Sequence, residues 1–246
     1  MSIYLKNPHS ILATLAKRPQ DIIEIRLPSK QAGDAWIEVQ KQAETMGIRL
    51  NQAQPQRPDK RDPRGKSRPG RTSGAEAVVK EDFGLGILDL FSDVSTPSLY
   101  LALDTIQDPQ NLGAIFRTAA FFGVSGILLT KDRSASLTGT AYDVASGGVE
   151  HVPFSIQTNL SRAFDTAKET GVWILGTSEH AERSLTTFSA DRPWLLVLGN
   201  EETGIRHLTR DKCDDMCCIA QQGAIGSLNV SSAAAISIHH LTQPSK

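Results

Sequence analysis

The stretch "LYLALDTIQDPQNLGAIFRTAAFFGVSGILLT", residues 99–130, decides the fold class. Leu99 to Leu103 form a short, continuously apolar run, the pattern of a strand covered on both faces. Pro109 ends the extended segment, and Asn111 is placed to cap the helix that follows. Leu112, Ile115, Phe116, Ala119, Ala120 and Phe121 make that helix largely apolar, and Gly123 ends it. "GILLT", residues 126–130, is a second apolar run. Strand, helix and strand in this order specify a parallel βαβ unit.

The alternation continues to the end of the chain. After a loop and a short helix come strand "VPFSIQ" (152–157), helix "LSRAFDTAKETG" (160–171), strands "VWILGT" (172–177), "WLLVLG" (194–199) and "MCCIA" (216–220), and a final helix. The expected class is α/β, a mostly parallel sheet with helices on both faces. Upstream, "SILATLAKRP" reads as a helix, "DIIEIRLP" as a strand, "DAWIEVQKQAETMG" as a helix stopped by Gly47, "IRL" as a strand, and "GAEAVVKED" as one more. This predicts a small N-terminal α/β domain over residues 1–52 with 75–92, a linker over 53–74, and a second domain over 97–246.

The linker is chemically distinct. Between residues 57 and 71, Arg57, Lys60, Arg61, Arg64, Lys66, Arg68 and Arg71 face only Asp59 and Asp62, in a chain whose formal net charge is −1. Prolines 55, 58, 63 and 69 with Gly65 and Gly70 forbid regular structure there. Such a segment serves either as a solvated spacer or as a holder of phosphates. At 246 residues and 39% hydrophobic, the chain can bury one full core and a smaller second one. There is no run of about 18 apolar residues and no basic-then-apolar leader, so a soluble cytoplasmic protein with no membrane association is expected. Cys213, Cys217 and Cys218 lack a second Cys or His pair at zinc spacing, and no metal is expected.

In a parallel sheet, ligands bind outside the carboxyl ends of the strands, so the loops there carry most information. The first leads into Asn111 and Arg117, a lone cation on an apolar helix that calls for an anionic partner. The second, "LLVLGNEETGIRHL", has Gly199 and Gly204 spaced like a phosphate loop, but Ile205 and Arg206 stand where Lys and Ser/Thr would be required. No G-x-G-x-x-G follows any strand, so a dinucleotide oxidoreductase lacks its fingerprint. The third, "QQGAIGSLNVSS", leaves backbone groups free around Gly223 and Gly226 before Ser227 or Asn229 begins the last helix. A helix start with free amides holds polar or anionic groups. One cap accounts for a single polar residue, but not for Ser227, Asn229, Ser231 and Ser232 together.

Taken in order, N111-L-G113-A-I-F-R117, G199-N-E201-E-T-G204 and S227-L-N229-V-S231 closely resemble the three motifs of the SpoU (TrmH-like) family of RNA ribose 2′-O-methyltransferases, in the SPOUT superfamily. The likeness runs from about Leu99 to the end and includes "KDRSASLTGTAYDVASGGVEHVPF". The N-terminal unit resembles the small substrate-binding domain of ribosomal RNA members. A catalytically silent RNA-binding factor on the same fold would show degraded motifs, and here all three are intact.

The resemblance implies a C-terminal trefoil knot, S-adenosylmethionine bound within it, and a homodimer. It implies that Gly199, Ile219 and Leu228, with Thr177 at the preceding strand end, hold the cofactor's adenosine part, largely through backbone groups. It implies a catalytic group of Asn111, Arg117, Glu201, Ser227 and Asn229, with Arg117 as base or as clamp on phosphate and developing alkoxide. The substrate it implies is RNA: ribosomal RNA is favoured, with guanosine as the base, and tRNA is the alternative. Where relatives have a short His-containing turn, this chain has "RPGRTSGAEAVV" behind the basic linker.

Overall fold

The computed structural model describes residues 2–29, 33–53, 74–132 and 134–243. The chain divides into two compact units, residues 1–81 and 82–246. The expected linker cations, Arg57, Lys60, Arg61, Arg64, Lys66, Arg68 and Arg71, lie outside the described residues.

The first unit contains β1 (Ser2–Leu5), α1 (Pro8–Lys17), β2 (Ile22–Leu27), α2 (Asp34–Thr45), β3 (Leu50–Gln52) and β4 (Glu76–Lys80). Its sheet runs β1-β4-β2-β3, antiparallel except for the parallel β2–β3 pair. α1 starts as local chemistry dictates: Asn7 accepts from the His9 amide and Pro8 stands at the first helical position. Leu5, Ile11, Leu15, Ile25 and Val39 are fully buried in its core. β1 is an element the sequence patterning did not predict.

The second unit contains α3 (Ile87–Leu90), β5 (Leu99–Leu103), α4 (Pro109–Phe122), β6 (Gly126–Thr130), α5 (Gly139–Ala145), α6 (Gly148–His151), β7 (Phe154–Gln157), α7 (Leu160–Glu169), β8 (Trp173–Thr177), β9 (Trp194–Leu198), α8 (His207–Arg210), β10 (Asp215–Cys217) and α9 (Val230–Thr242). Its sheet is parallel throughout, in the order β10-β8-β9-β5-β6-β7. Every residue of β5, β6 and β9 is buried, as a strand covered on both faces requires. Tyr100 and Ala102 of β5, Leu128, Leu195 and Val197 share one core with Leu160, Phe164 and Ala167 of α7. α4 and α9 pack on one another, and α9 also contacts β5.

A domain boundary and a helix cap differ from the sequence reading, and the strands expected over 48–50, 152–157 and 216–220 are instead Leu50–Gln52, Phe154–Gln157 and Asp215–Cys217. Residues 82–92, grouped there with the N-terminal unit, pack in the second: the Leu85 amide donates to Phe154 O at 2.7 Å, Ser155 Oγ donates to Leu85 O at 2.7 Å, and Leu90 and Phe91 join the α7 core. Asn111 is not the cap of α4. Asp108 caps it, accepting from the Gln110 amide at 2.8 Å, and Pro109 takes the first helical position, where its fixed φ favours the helix and its missing N–H costs nothing.

Candidate functional site

From β5 the chain turns through α4 to β6 and β7 on one side of the sheet. From β9, the neighbour of β5, it crosses to β10 at the opposite edge. The carboxyl ends of β5 and β9 therefore flank a topological switch point, the place where such sheets hold ligands.

The loop leaving β9 is built by Asn200. Its backbone exchanges two hydrogen bonds with Gly204, at 3.1 and 2.9 Å, and its side-chain oxygen accepts from the Glu202 and Thr203 amides at 2.9 and 3.2 Å. Its Nδ2 donates to Thr105 O at 3.0 Å, across the switch point. Gly204 has φ 67°, a left-handed conformation that favours glycine. Gly199 is required by contact: a Cβ there would lie 2.3 Å from both Gly204 C and Ile205 N. Sequence reasoning named the two glycines and missed Asn200; its signal was an Asn directly after a strand-ending glycine, the residue type that organises tight turns by side-chain-to-backbone bonds.

This turn presents Glu201 to the first and third motifs. Asn111 Nδ2 donates to Glu201 Oε1 at 2.7 Å, and Asn229 Nδ2 donates to Asn111 Oδ1 at 3.0 Å. Asn229 also caps α9, accepting from the Ser231 amide and hydroxyl at 2.9 and 2.6 Å and from the Ser232 amide at 3.4 Å. Residues 90 and 118 positions apart are thus joined in one chain of polar contacts. Arg117 lies further along α4, exposed, and among the described residues no carboxylate pairs with it. The helix backbone at Arg117 is held closely by α6, since a Cβ on Gly148 would meet Phe116 O at 2.8 Å and Arg117 Cα at 2.9 Å.

Beside this cluster lies a cavity of about 660 Å³, walled by the loops leaving β8, β9 and β10 and by the start of α9. Thr177, Gly199, Glu201, Ile219, Ser227 and Leu228 all line it, whereas Asn111, Arg117 and Asn229 do not. Thr177 Oγ1 donates to Val197 O at 2.8 Å, so its hydroxyl hydrogen is committed to the sheet. Between Ile219 and Leu228, no backbone amide is hydrogen-bonded within the described residues. Apolar Leu198, Ile219, Leu228 and Ala233, exposed backbone donors and the Glu201 carboxylate suit a ligand that is part apolar ring and part charged polar chain. S-adenosylmethionine is such a molecule, and the residues present fit it.

Cys213 and Cys217 lie near this wall, and burial pushes both thiols up to about 12. They are neutral packing groups, not nucleophiles, at ordinary pH. No cluster of three His, Cys, Asp or Glu side chains fit to bind a metal occurs among the described residues. Among the same residues, no helix is long and apolar enough to cross a membrane.

Comparison with known proteins agrees with this geometry. The family model described as SpoU rRNA Methylase family matches residues 98–239. The 23S rRNA (guanosine-2′-O-)-methyltransferase RlmB of Nitrosomonas europaea is 38% identical over 236 residues, covering 96% of this chain and 89% of the relative. Its counterpart from Bordetella pertussis is 35% identical over 232 residues, covering 94% and 93%. Among solved structures, the SpoU methyltransferase AviRb from Streptomyces viridochromogenes, in complex with AdoMet, superposes with a TM-score of 0.78 at 19% identity, covering 98% of this chain and 89% of that one. An AdoMet-bound rRNA methyltransferase from Sinorhizobium meliloti gives 0.74 at 20%, covering 97% and 86%. These two likenesses share the α/β fold with its mostly parallel sheet. The chain belongs to the SpoU rRNA methylase family.

Proposed function

We propose that the protein is an S-adenosylmethionine-dependent RNA ribose 2′-O-methyltransferase, and that its substrate is a guanosine of 23S ribosomal RNA. The observation that carries this reading is the hydrogen-bonded line Glu201–Asn111–Asn229, which joins three separate motifs at the mouth of a cavity suited to the cofactor. When bound, S-adenosylmethionine supplies a methyl group on a sulfonium. The chain's own task is to align the ribose hydroxyl and to manage one proton.

Gly199, Ile219 and Leu228 hold the cofactor through backbone groups, with Thr177 at the floor. Glu201, tied to Asn111, fixes the loop at the reacting end. Asn229 and Ser227 face the nucleotide from the start of α9. Arg117 clamps the phosphate beside the ribose with its planar guanidinium fork and stabilises the developing alkoxide. Its exposure and its lack of a carboxylate partner among the described residues support a part played on RNA and not on the cofactor.

The wider layout follows from the same reading. Residues 1–52 with β4 bind RNA as a small accessory domain, the 53–74 linker adds phosphate contacts, and the protein works in the cytoplasm. A trefoil knot is supported by the path of the C-terminus: β10 is the outermost strand, yet α9 returns to pack on α4 and β5. A homodimer is supported by exposed apolar residues on those two helices, Phe121 and Ile236.

The test is transfer of a tritiated methyl group to 23S rRNA and to tRNA from cells lacking this gene, followed by nucleoside analysis. Labelled 2′-O-methylguanosine in the 23S pool is expected. Label in tRNA alone would replace the ribosomal reading, and cofactor binding without label in either pool would leave an RNA-binding factor.

A further inference from the structure

Asp104 and Arg206 form a contact that the motif-based site does not use. Asp104, the residue after β5, is fully buried. Its Oδ2 accepts from the Arg206 amide at 3.1 Å; its Oδ1 accepts from Arg206 Nε at 2.7 Å and lies 2.7 Å from an Nη nitrogen. A buried carboxylate is costly to desolvate even when paired, and here its partner stays partly in solvent, the Arg206 side chain being 42% exposed. Its position therefore asks for a reason beyond stability.

The adjacent residue sharpens the question. Thr105 has φ 62°, a left-handed conformation that a β-branched residue rarely adopts. It is held there from three sides: its amide donates to Thr130 Oγ1 at 3.0 Å, its hydroxyl donates to Asp104 O at 2.6 Å, and its carbonyl accepts from Asn200. Strained backbone of this kind survives only where its surroundings over-determine it, and it concentrates at functional sites. Residues 104–105 thus make a rigid post at the end of β5 that grips the β9 loop at both ends, Asn200 at the start and Arg206 at the finish. Between those two grips stand Glu201 to Ile205 along the cavity wall, with Glu201 projecting to Asn111.

We infer that Asp104, Thr105, Asn200 and Arg206 are positioning residues that set S-adenosylmethionine affinity by locking the 199–206 loop in its binding conformation. This rests on the cofactor reading given above. A preorganised loop does not have to be ordered when the ligand arrives, so releasing one grip weakens binding without removing any ligand contact. Lys at position 206 retains the charge but cannot reproduce the Nε and Nη donors, so Arg206→Lys fails for the same reason as Arg206→Ala.

The experiment is calorimetric titration of S-adenosylmethionine into full-length wild type, Arg206→Ala and Arg206→Lys, with amide hydrogen exchange read over residues 199–206. Wild type that does not bind would sink the cofactor reading itself and is seen first. With wild type binding, both variants are expected to show Kd raised about tenfold or more, unchanged stoichiometry and faster exchange confined to the loop. At saturating cofactor, kcat is expected to recover to within about threefold of wild type. Unchanged Kd in Arg206→Ala overturns the inference, whether activity is intact or only the KM for RNA rises. Unchanged Kd with reduced stoichiometry assigns the pair to folding alone, and wild-type affinity in Arg206→Lys reduces the grip to charge; either outcome overturns it as stated.

Discussion

Asn229 Nδ2 donates to Asn111 Oδ1 at 3.0 Å, and the amide of Asn111 is thereby used in both directions, since its Nδ2 donates onward to Glu201. Only a carboxamide of this length fills both roles. Asn111→Asp keeps the acceptor for Asn229 but sets a second carboxylate against Glu201, a like-charge contact costing on the order of 1 kcal/mol at an exposed site. Methyl transfer by Asn111→Asp is therefore expected to fall about five- to tenfold below that of Asn111→Ala. Equal rates in the two variants would mean that the Asn111–Glu201 contact does not persist in the working complex.

Arg117 offers the complementary case. It stands away from the cavity wall, exposed on α4, so Arg117→Ala is expected to leave the Kd for S-adenosylmethionine nearly unchanged. If the guanidinium stabilises developing charge, kcat falls about 10²- to 10³-fold. Arg117→Lys, which restores charge without the planar fork, is expected to recover part of that loss. Single-turnover methyl transfer with separate cofactor titration checks both. Full turnover in Arg117→Ala would remove the residue from the reaction.

The sheet was readable because β5, β6 and β9 are unbroken apolar runs and their order follows from parallel alternation. β1 was not, because "SIYL" is only partly apolar and its partner β4 lies beyond the linker, a pairing that no local pattern encodes. The cap of α4 was misplaced because Asp108 and Asn111 are both capping types; Pro109 decides between them, since it fits the first helical position and makes the residue before it the cap. That Asn111, Glu201 and Asn229 belong together was legible through motif order, although the hydrogen bonds joining them were not. Asp104 gave no signal and Arg206 served only to exclude a phosphate loop, because an acid after a strand and an Arg after a glycine loop say little when taken alone. Their pairing spans 102 positions and exists only in three dimensions.

Two glycines of the motifs serve different ends, and substitution separates them. A Cβ on Gly113 would lie 2.4 Å from Ala141 O and 2.8 Å from Val144 Cβ, inside the α4–α5 contact. Gly113→Ala is expected to lower the unfolding free energy by about 1–3 kcal/mol, as overpacking does. The atoms nearest a Cβ on Gly199 are backbone of its own loop, at Gly204 and Ile205. Gly199→Ala is expected to abolish cofactor binding while changing the urea midpoint less than Gly113→Ala does. The reverse ranking, with Gly199→Ala the less stable and still able to bind, would show that the loop tolerates displacement.

Cys213 and Cys217 give a pH dependence whose sign is fixed. Burial raises both thiols to about 12 in the folded protein, above the unfolded value near 8.5. Their neutral form is therefore the one that folding favours. That contribution is complete below about pH 8.5 and is lost as pH rises toward 12, because the unfolded chain ionises first and the folded chain must then hold protons the solvent would take. Each thiol steepens the fall in stability by at most about 1.4 kcal/mol per pH unit within that window. Urea unfolding of wild type and of the Cys213→Ala/Cys217→Ala double variant, compared from pH 8 to 11, isolates this effect from the lysines and tyrosines common to both. The wild-type curve is expected to fall more steeply, whatever offset the lost side chains introduce. Parallel curves would mean that the two thiols ionise within the folded protein, and that the wall beside the cavity is wetter than its packing indicates.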